Sequence, residues 1–429
     1  MKKLLILLGI LYMLSTIVYA NDSIIGEIGN TIYPISDTSV QMVAETVEIK
    51  MKEDRIYVRC EFVLKKSEEK EKIMVGFPAY SSLFDFQTYI NGKKSAVTIK
   101  KGLKEEAYPN EYVWEMTFDE EDVYKVVNTY WMDRVYDEKG WELIKYIVKS
   151  GATWNEPIHY GKVTIEYDKA FDPENLELID YDIYKNNEDV KVKVLPEEKK
   201  IIWEFYELDP DFDIIVYDKD YIKIKQKELL EKPYDKSEKE KGKIQNLAKK
   251  VYDDYLQGNY DVAWENMNKV EQYKNHADKQ VSKYALKVIN LLDYYRAMIL
   301  MEKGKYKESA YYFKTNGIFD ERNLYKLATL YKMSGDTDQY IQVLNKIIKL
   351  QNDNQGIVVW AEQEINHLPT TIKEKYEIKE KNLTMHKEKT INQENKEKKK
   401  DRFSYRSFIL VNSGIFILFF VVYWNIKKE

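Results

Sequence analysis

Cysteine is almost absent from this chain. The single Cys60 among 429 residues rules out an intrachain disulfide, so stability has to come from packing. Histidine is nearly as scarce. His159, His276, His367 and His386 lie in separate regions, with no H-E-x-x-H and no Cys/His cluster, which leaves a zinc site unsupported. Glycine and proline are few, and neither a phosphate-binding loop nor a G-x-S-x-G spacing occurs. Strong basicity is missing too: 67 Lys and Arg against 72 Asp and Glu give a formal charge of −5, which argues against nucleic acid as a partner. One S-x-x-K match, Ser67 to Lys70, stands alone in the charged run KKSEEKEK and reads as an exposed turn. No cofactor, metal ligand or catalytic residue is therefore assigned.

Long apolar runs number two. Lys2 and Lys3 precede the apolar stretch Leu4–Val18, and Val18-Tyr19-Ala20 has the small-x-small pattern of a cleavage site, so residues 1–20 read as an export signal. Ser407–Trp424 carries no charge over eighteen residues, which as a helix gives roughly 27 Å, close to a bilayer's apolar thickness. It reads as a single C-terminal transmembrane helix, with 425–429 as a cytoplasmic tail. The flank before it is more basic than the tail, which opposes the positive-inside rule; the leading signal takes precedence in setting orientation. The expected localisation is thus a cell membrane, single-pass, with the bulk of the chain extracytoplasmic.

Between these runs the period of the apolar residues changes once. Over 21–225 it is close to two. Ile56, Val58, Cys60, Phe62 and Leu64 share one face of a strand, which makes Cys60 a small buried hydrophobe. Asn91-Gly92 between Phe84–Ile90 and Ala96–Ile99 predicts a hairpin, and Asp137-Glu138-Lys139-Gly140 predicts a turn. About a dozen short strands without intervening helices predict one or two antiparallel β-sandwich domains. Residues 226–243 read as a charged linker. From 244 to 368 the period becomes 3.6, and Gly258-Asn259-Tyr260, Gly304-Lys305-Tyr306 and Gly335-Asp336-Thr337 recur at the turns of helical hairpins. The last two glycines are 31 apart, near the tetratricopeptide period of about 34. The piece NLYKLATLYKMSGDTDQYIQVL looks like that motif, while Arg296 falls where it wants an apolar residue. Residues 369–406 are Lys/Glu/Asn-rich and read as a solvated stalk.

Two further patterns have a bland and a functional reading. Asp209, Asp211 and Asp213 form D-x-D-x-D, but an EF-hand would need Gly and Glu where Ile214 and Asp220 stand, so an acidic turn is preferred. Trp114, Trp131, Trp141, Trp154 and Trp203 could stack on sugars but more often fill cores.

Three stretches carry a family resemblance. The run Met42 to Pro78, the segment Tyr146-Ile-Val-Lys-Ser-Gly-Ala-Thr-Trp154 and the segment Trp203-Glu-Phe-Tyr-Glu-Leu-Asp-Pro-Asp-Phe-Asp-Ile214 resemble an uncharacterised family of exported bacterial β-rich domains, over about residues 22–220. The resemblance implies export and a β fold, and no mechanism. The combined expectation is a membrane-anchored extracytoplasmic binding or scaffold protein of the bacterial cell envelope. Its helical repeats would hold a protein or peptide in a groove formed by Tyr294, Met298, Tyr325 and Thr329. Packing of these four side chains against the β part is the competing expectation. The rival function is a cell-envelope enzyme acting on wall polymer, which would need two converging carboxylates in the β domain, one of them held protonated.

Overall fold

The computed structural model describes residues 29–376, apart from 67–69, 102–109, 120, 186, 232–237, 316–322 and 351–354. The expected signal peptide, most of the stalk, the span 407–424 and the tail lie outside the described residues. The described residues up to Ile365 belong to one compact unit that contains both strands and helices; those from Asn366 to Tyr376 belong to a second, in which a short helix, Thr370–Lys375, is described.

In chain order the strands are β1 (Gly29–Asn30), β2 (Tyr33–Pro34), β3 (Gln41–Met51), β4 (Arg55–Lys65), β5 (Glu71–Ala79), β6 (Phe84–Ile90), β7 (Lys93–Lys94), β8 (Thr98–Lys101) and β9 (Asn110–Phe118). They continue as β10 (Val123–Asp133), β11 (Val135–Tyr136), β12 (Glu142–Ile147), β13 (Ile158–Tyr167), β14 (Leu176–Ile179), β15 (Val190–Leu195), β16 (Lys200–Leu208) and β17 (Ile214–Asp218). One large sheet runs β15-β16-β13-β3-β4-β10-β6-β7; two smaller ones run β2-β5-β9-β8 and β1-β12-β17-β14. Both smaller sheets cover the same face of the large one. Phe77 from the first meets Tyr130 at 5.5 Å, and Tyr146 from the second reaches the thiol of Cys60 at 3.9 Å. The alternation in β4 is the cause: Ile56, Val58, Cys60, Phe62 and Leu64 are all enclosed, as the period-two pattern requires. Burial pushes the Cys60 thiol up, which removes thiolate and leaves a small hydrophobe.

The fold class expected from the sequence needs two corrections. Among the described residues no helix is long and apolar enough to cross a membrane, so the transmembrane part of the expected fold class is unsupported there, and the described architecture is β sheets followed by a helical region. The longest described helix, Lys279–Glu302, carries Lys283, Lys287, Asp293 and Arg296 and packs Val281, Val288, Leu292 and Ile299 into the core of the helical part. The sheets are also not purely antiparallel. β13 returns beside β3 in parallel, and β1 pairs with β12 in parallel, because the chain between β4 and β12 leaves to build other strands before coming back. The Asn91-Gly92 hairpin is present with positive φ at both residues, but its second strand is Lys93–Lys94, and Thr98–Lys101 joins a different sheet. Gly140 has positive φ in the expected turn, where Asp137 accepts the Lys139 and Trp141 amides.

Seven helices of ten or more residues follow among the described residues: α1 (Lys239–Leu256), α2 (Tyr260–Glu271), α3 (Lys279–Glu302), α4 (Tyr306–Thr315), α5 (Leu324–Met333), α6 (Thr337–Ile348) and α7 (Gln355–His367). Gly258, Gly304 and Gly335 stand just past α1, α3 and α5 with φ of 76°, 70° and 72°, the left-handed helix end that glycine adopts without strain. Each turn folds the next helix back into a hairpin. Arg296, the misfit in the repeat pattern, is buried and pairs with Glu271 at 2.5 Å and Asp293 at 2.9 Å while lying over the Trp264 ring. Arg296→Ala strands these acids and is expected to lower stability by about 2 kcal/mol in urea denaturation, since both keep some solvent.

Helix α7 ties the two halves together. β15 and β14 are end strands of their sheets, and exposed edges invite foreign strands. The Gln363 side chain accepts the Val194 amide at 2.8 Å on β15, and Gln355 accepts the Leu178 amide at 3.2 Å on β14. One helix thus blunts both edges. It comes so close that a Cβ at Gly356 would lie 2.6 Å from Leu176 Cβ and 2.8 Å from the Pro173 carbonyl.

Candidate functional site

The hairpin pattern places a shallow groove of about 370 Å³ between α4 and α5. Residues 306, 307, 310, 311 and 314 lie along one helical face, so α4 contributes Tyr306, Lys307, Ala310, Tyr311 and Lys314. The helix end opposite supplies Tyr331, Ser334 and Asp336. Ala310 is 4% exposed and forms the floor, whereas Tyr311 is 64% exposed. Asp336 is occupied in capping α6, where it accepts the Gln339 amide at 3.2 Å. Lys307 and Lys314 have no ion-pair partner among the described residues, which leaves the groove aromatic and net positive.

None of Tyr294, Met298, Tyr325 and Thr329 lines that groove. Tyr325 is 7% exposed; its amide donates to Glu174 at 3.1 Å and its ring stands edge-on to Trp360 at 4.8 Å. Thr329 hydrogen-bonds the Tyr325 hydroxyl. Tyr294 packs on Phe313 at 5.7 Å and Met298 is half-buried beside it on α3. The next residue, Lys326, reaches Asp172 at 2.6 Å, so this part of α5 abuts the loop before β14. Reading the helical register alone missed Tyr306, Lys307, Tyr311 and Lys314. Their i, i+1, i+5, i+8 spacing in YKESAYYFK was the available signal.

The β part holds a second polar neighbourhood at the ends of β12 and β17. Glu142 and Asp218 are direct cross-strand partners. Arg134 grips Glu142 at 2.5 and 3.0 Å. Asp220 caps the helix Tyr221–Gln226 through the Lys223 amide, and Asp172 is taken by Lys326. Asp218 is half-buried and has neither a hydrogen bond nor an ion pair among the described residues. Burial, with the charges of Asp220, Glu142 and Asp172, pushes its carboxyl up to about 8.

The remaining sequence candidates resolve as structure. Trp114, Trp154 and Trp203 are core, and the Trp154 indole donates to the Ile32 carbonyl at 2.7 Å. Asp213 sits beside Lys149 at 3.8 Å. His159 pairs with Glu207 at 2.7 Å on the surface. Among the described residues no group of three or more His, Cys, Asp or Glu side chains is arranged to hold a metal ion.

No known protein family matches the chain, and no curated protein matches it. Solved structures do. One is a protein from Legionella pneumophila provisionally described as nutrient-binding, at 16% identity and a TM-score of 0.40, covering 62% of this chain and 97% of that one. Another is leukotriene A4 hydrolase from Saccharomyces cerevisiae, at 10% identity and a TM-score of 0.27, covering 42% of this chain and 29% of that one. Likenesses of this size carry no argument about what the chain does.

Proposed function

We propose that the chain is a binding protein whose helical half holds an acidic peptide segment of a partner in the groove between α4 and α5. The observation that carries this reading is the pair Lys307 and Lys314, unpaired among the described residues, flanking a wall of three tyrosines. Tyrosine offers a large rigid contact area with a polar tip, and two uncompensated lysines attract carboxylates. With export through residues 1–20 the protein would act outside the cytoplasm.

The rival enzyme reading is less well supported. A hydrolase of polymer needs a second carboxylate free to work beside the protonated one. Glu142, Asp172 and Asp220 are each committed to a cation or a helix cap, so Asp218 stands without such a partner.

A displayed library of random dodecapeptides selected on the full chain tests the proposal. Selected peptides are expected to be enriched in Asp and Glu and to bind more weakly as salt rises. The charge-reversed variant Lys307→Glu/Lys314→Glu is expected to lose about tenfold or more in affinity. Acidic peptides that bind this variant as tightly as the original chain would place the partner elsewhere.

A further inference from the structure

The two smaller sheets lie on the face of the large sheet that carries Cys60; along β4 and β10 the side chains of the opposite face are half-buried or exposed. Residues directly opposite one another in an antiparallel pair share a face. Phe84, Trp131 and Tyr57 therefore stand side by side across β6, β10 and β4 on this outer face, with Gln87, Thr129 and Arg59 in the next row. The Trp131 and Tyr57 ring centres are 5.0 Å apart, and the Arg55 guanidinium lies 4.4 Å from the centre of the Phe84 ring. Tyr89 lies level with Val127, four residues from Trp131 along β10, which is about 13 Å at the usual strand rise. Its hydroxyl donates to the Gln87 side chain at 2.5 Å. The cations nearest the rings are engaged: Arg55 with Asp133 at 3.5 Å, Lys50 with Glu48 at 3.7 Å, and Arg59 with Glu61 at 2.7 Å.

We propose that this outer face binds an uncharged, β-linked hexopyranose chain laid along β10 from Trp131 to Tyr89. A pyranose with equatorial hydroxyls has an apolar ring face and a polar rim. The ring face stacks on an indole or phenol, and the rim meets hydroxyl and amide groups. Both are present in alternation here: rings at Trp131 and Tyr89, and between them the Thr129 hydroxyl and the Gln87 amide. Pairing of the nearby cations with acids leaves little to attract a polyanion, so the occupant is neutral. A peptide added as a strand is not served, because β4 and β10 are inner strands with a neighbour on each side. The other tryptophans are not open in this way. Trp114, Trp154 and Trp203 are core, and Trp141 has the Lys139 and Lys219 ammonium groups each 4.5 Å from its ring centre. This face is separate from the helical groove and does not depend on it.

The test is calorimetric titration of the full chain with cellohexaose and with hexa-N-acetylchitohexaose, which differ in the acetamido group, and with the α-linked maltohexaose. Saturable binding of at least one β-linked hexamer is expected, unchanged between low salt and about 0.5 M NaCl because no ion pair forms. Maltohexaose, whose coiled chain does not lay successive ring faces on one plane, is expected to bind about tenfold or more weakly. Trp131→Ala is expected to lose about tenfold or more in affinity and Tyr89→Ala severalfold. Should Trp131→Ala fail to fold, the Tyr89→Ala result decides. No saturable binding of either β-linked hexamer by the unaltered chain overturns the proposal, as does binding that falls steeply with salt or that both variants retain in full.

Discussion

Replacing Gly161 by alanine is expected to destabilise the protein by about 4 kcal/mol, at the upper end of what overpacking does. Gly161 lies in the middle of β13, with β16 on one side and β3 on the other. Its cross-strand partner on β16 is Phe205, whose ring lies over the glycine so closely that a Cβ would be 1.8 Å from Cε2. Phe205 is fully enclosed, so the ring has nowhere to go without displacing its neighbours. The cost comes from a steric collision, since φ at Gly161 is not in the left-handed region. Chemical denaturation of Gly161→Ala, Phe205→Ala and the double variant checks this. Phe205→Ala alone should cost roughly 3–5 kcal/mol through its cavity. The double variant should cost clearly less than the sum, because the new methyl then enters vacated space. Additive losses would mean that the ring is not what excludes a side chain there.

Glu45→Gln is expected to change how stability depends on pH. Glu45 stands next to Gly161 on the same row of the large sheet, pairing with it in register, and is wholly enclosed. Thr31 Oγ1 and the Tyr146 hydroxyl donate to its Oε1 at 2.5 and 2.7 Å, and Oε2 has no partner. Burial outweighs these hydrogen bonds and raises the carboxyl from 4.5 to about 7. A raised folded-state value means that the native chain holds this proton more tightly than the unfolded chain. Its effect is therefore absent below about pH 4.5, where both states are protonated, and becomes a growing penalty as pH rises to about 7. The accumulated loss is roughly 3 kcal/mol. Glutamine keeps an acceptor for Thr31 and Tyr146 and cannot ionise. The stability of Glu45→Gln minus that of the unaltered chain should rise by about that amount between pH 4.5 and 7.5 and then level off. Asp218, also raised, contributes to both chains alike and cancels in the difference. A difference that stays flat across the range would show that Glu45 ionises as easily in the folded chain as in the unfolded one.

These two residues also mark the limit of what could be read in advance. The one-residue alternation of β4, the positive-φ pair Asn91-Gly92 and the three helix-ending glycines are local signals, set by backbone sterics and by which face an apolar side chain must take. They sufficed for the change from strands to helices and for the hairpin turns. Tyr146, Gly151 and Trp154 lie in the core: Gly151 is enclosed and Trp154 bonds back to Ile32. By contrast, no local pattern marks Gly161 inside β13 as a position that excludes a side chain, because that depends on the Phe205 ring in a strand 44 residues later. Parallel pairing of β13 with β3 joins residues more than a hundred positions apart, a choice no local pattern encodes.

The binding candidates divide in the same way. The helical period put Tyr325 on a face, but whether that face meets water or protein was settled by Glu174 and Asp172, which belong to the β part. The groove of Tyr306, Lys307 and Lys314 arises where two successive helices meet, and the pairing of Glu142 with Asp218 joins strands far apart in the chain. The chain by itself determined periodicity, turns and the absence of metal- and nucleophile-type motifs, since each depends on near neighbours. Only the tertiary structure decided which polar groups are paired and which are left over, because pairing depends on partners brought together from far along the chain.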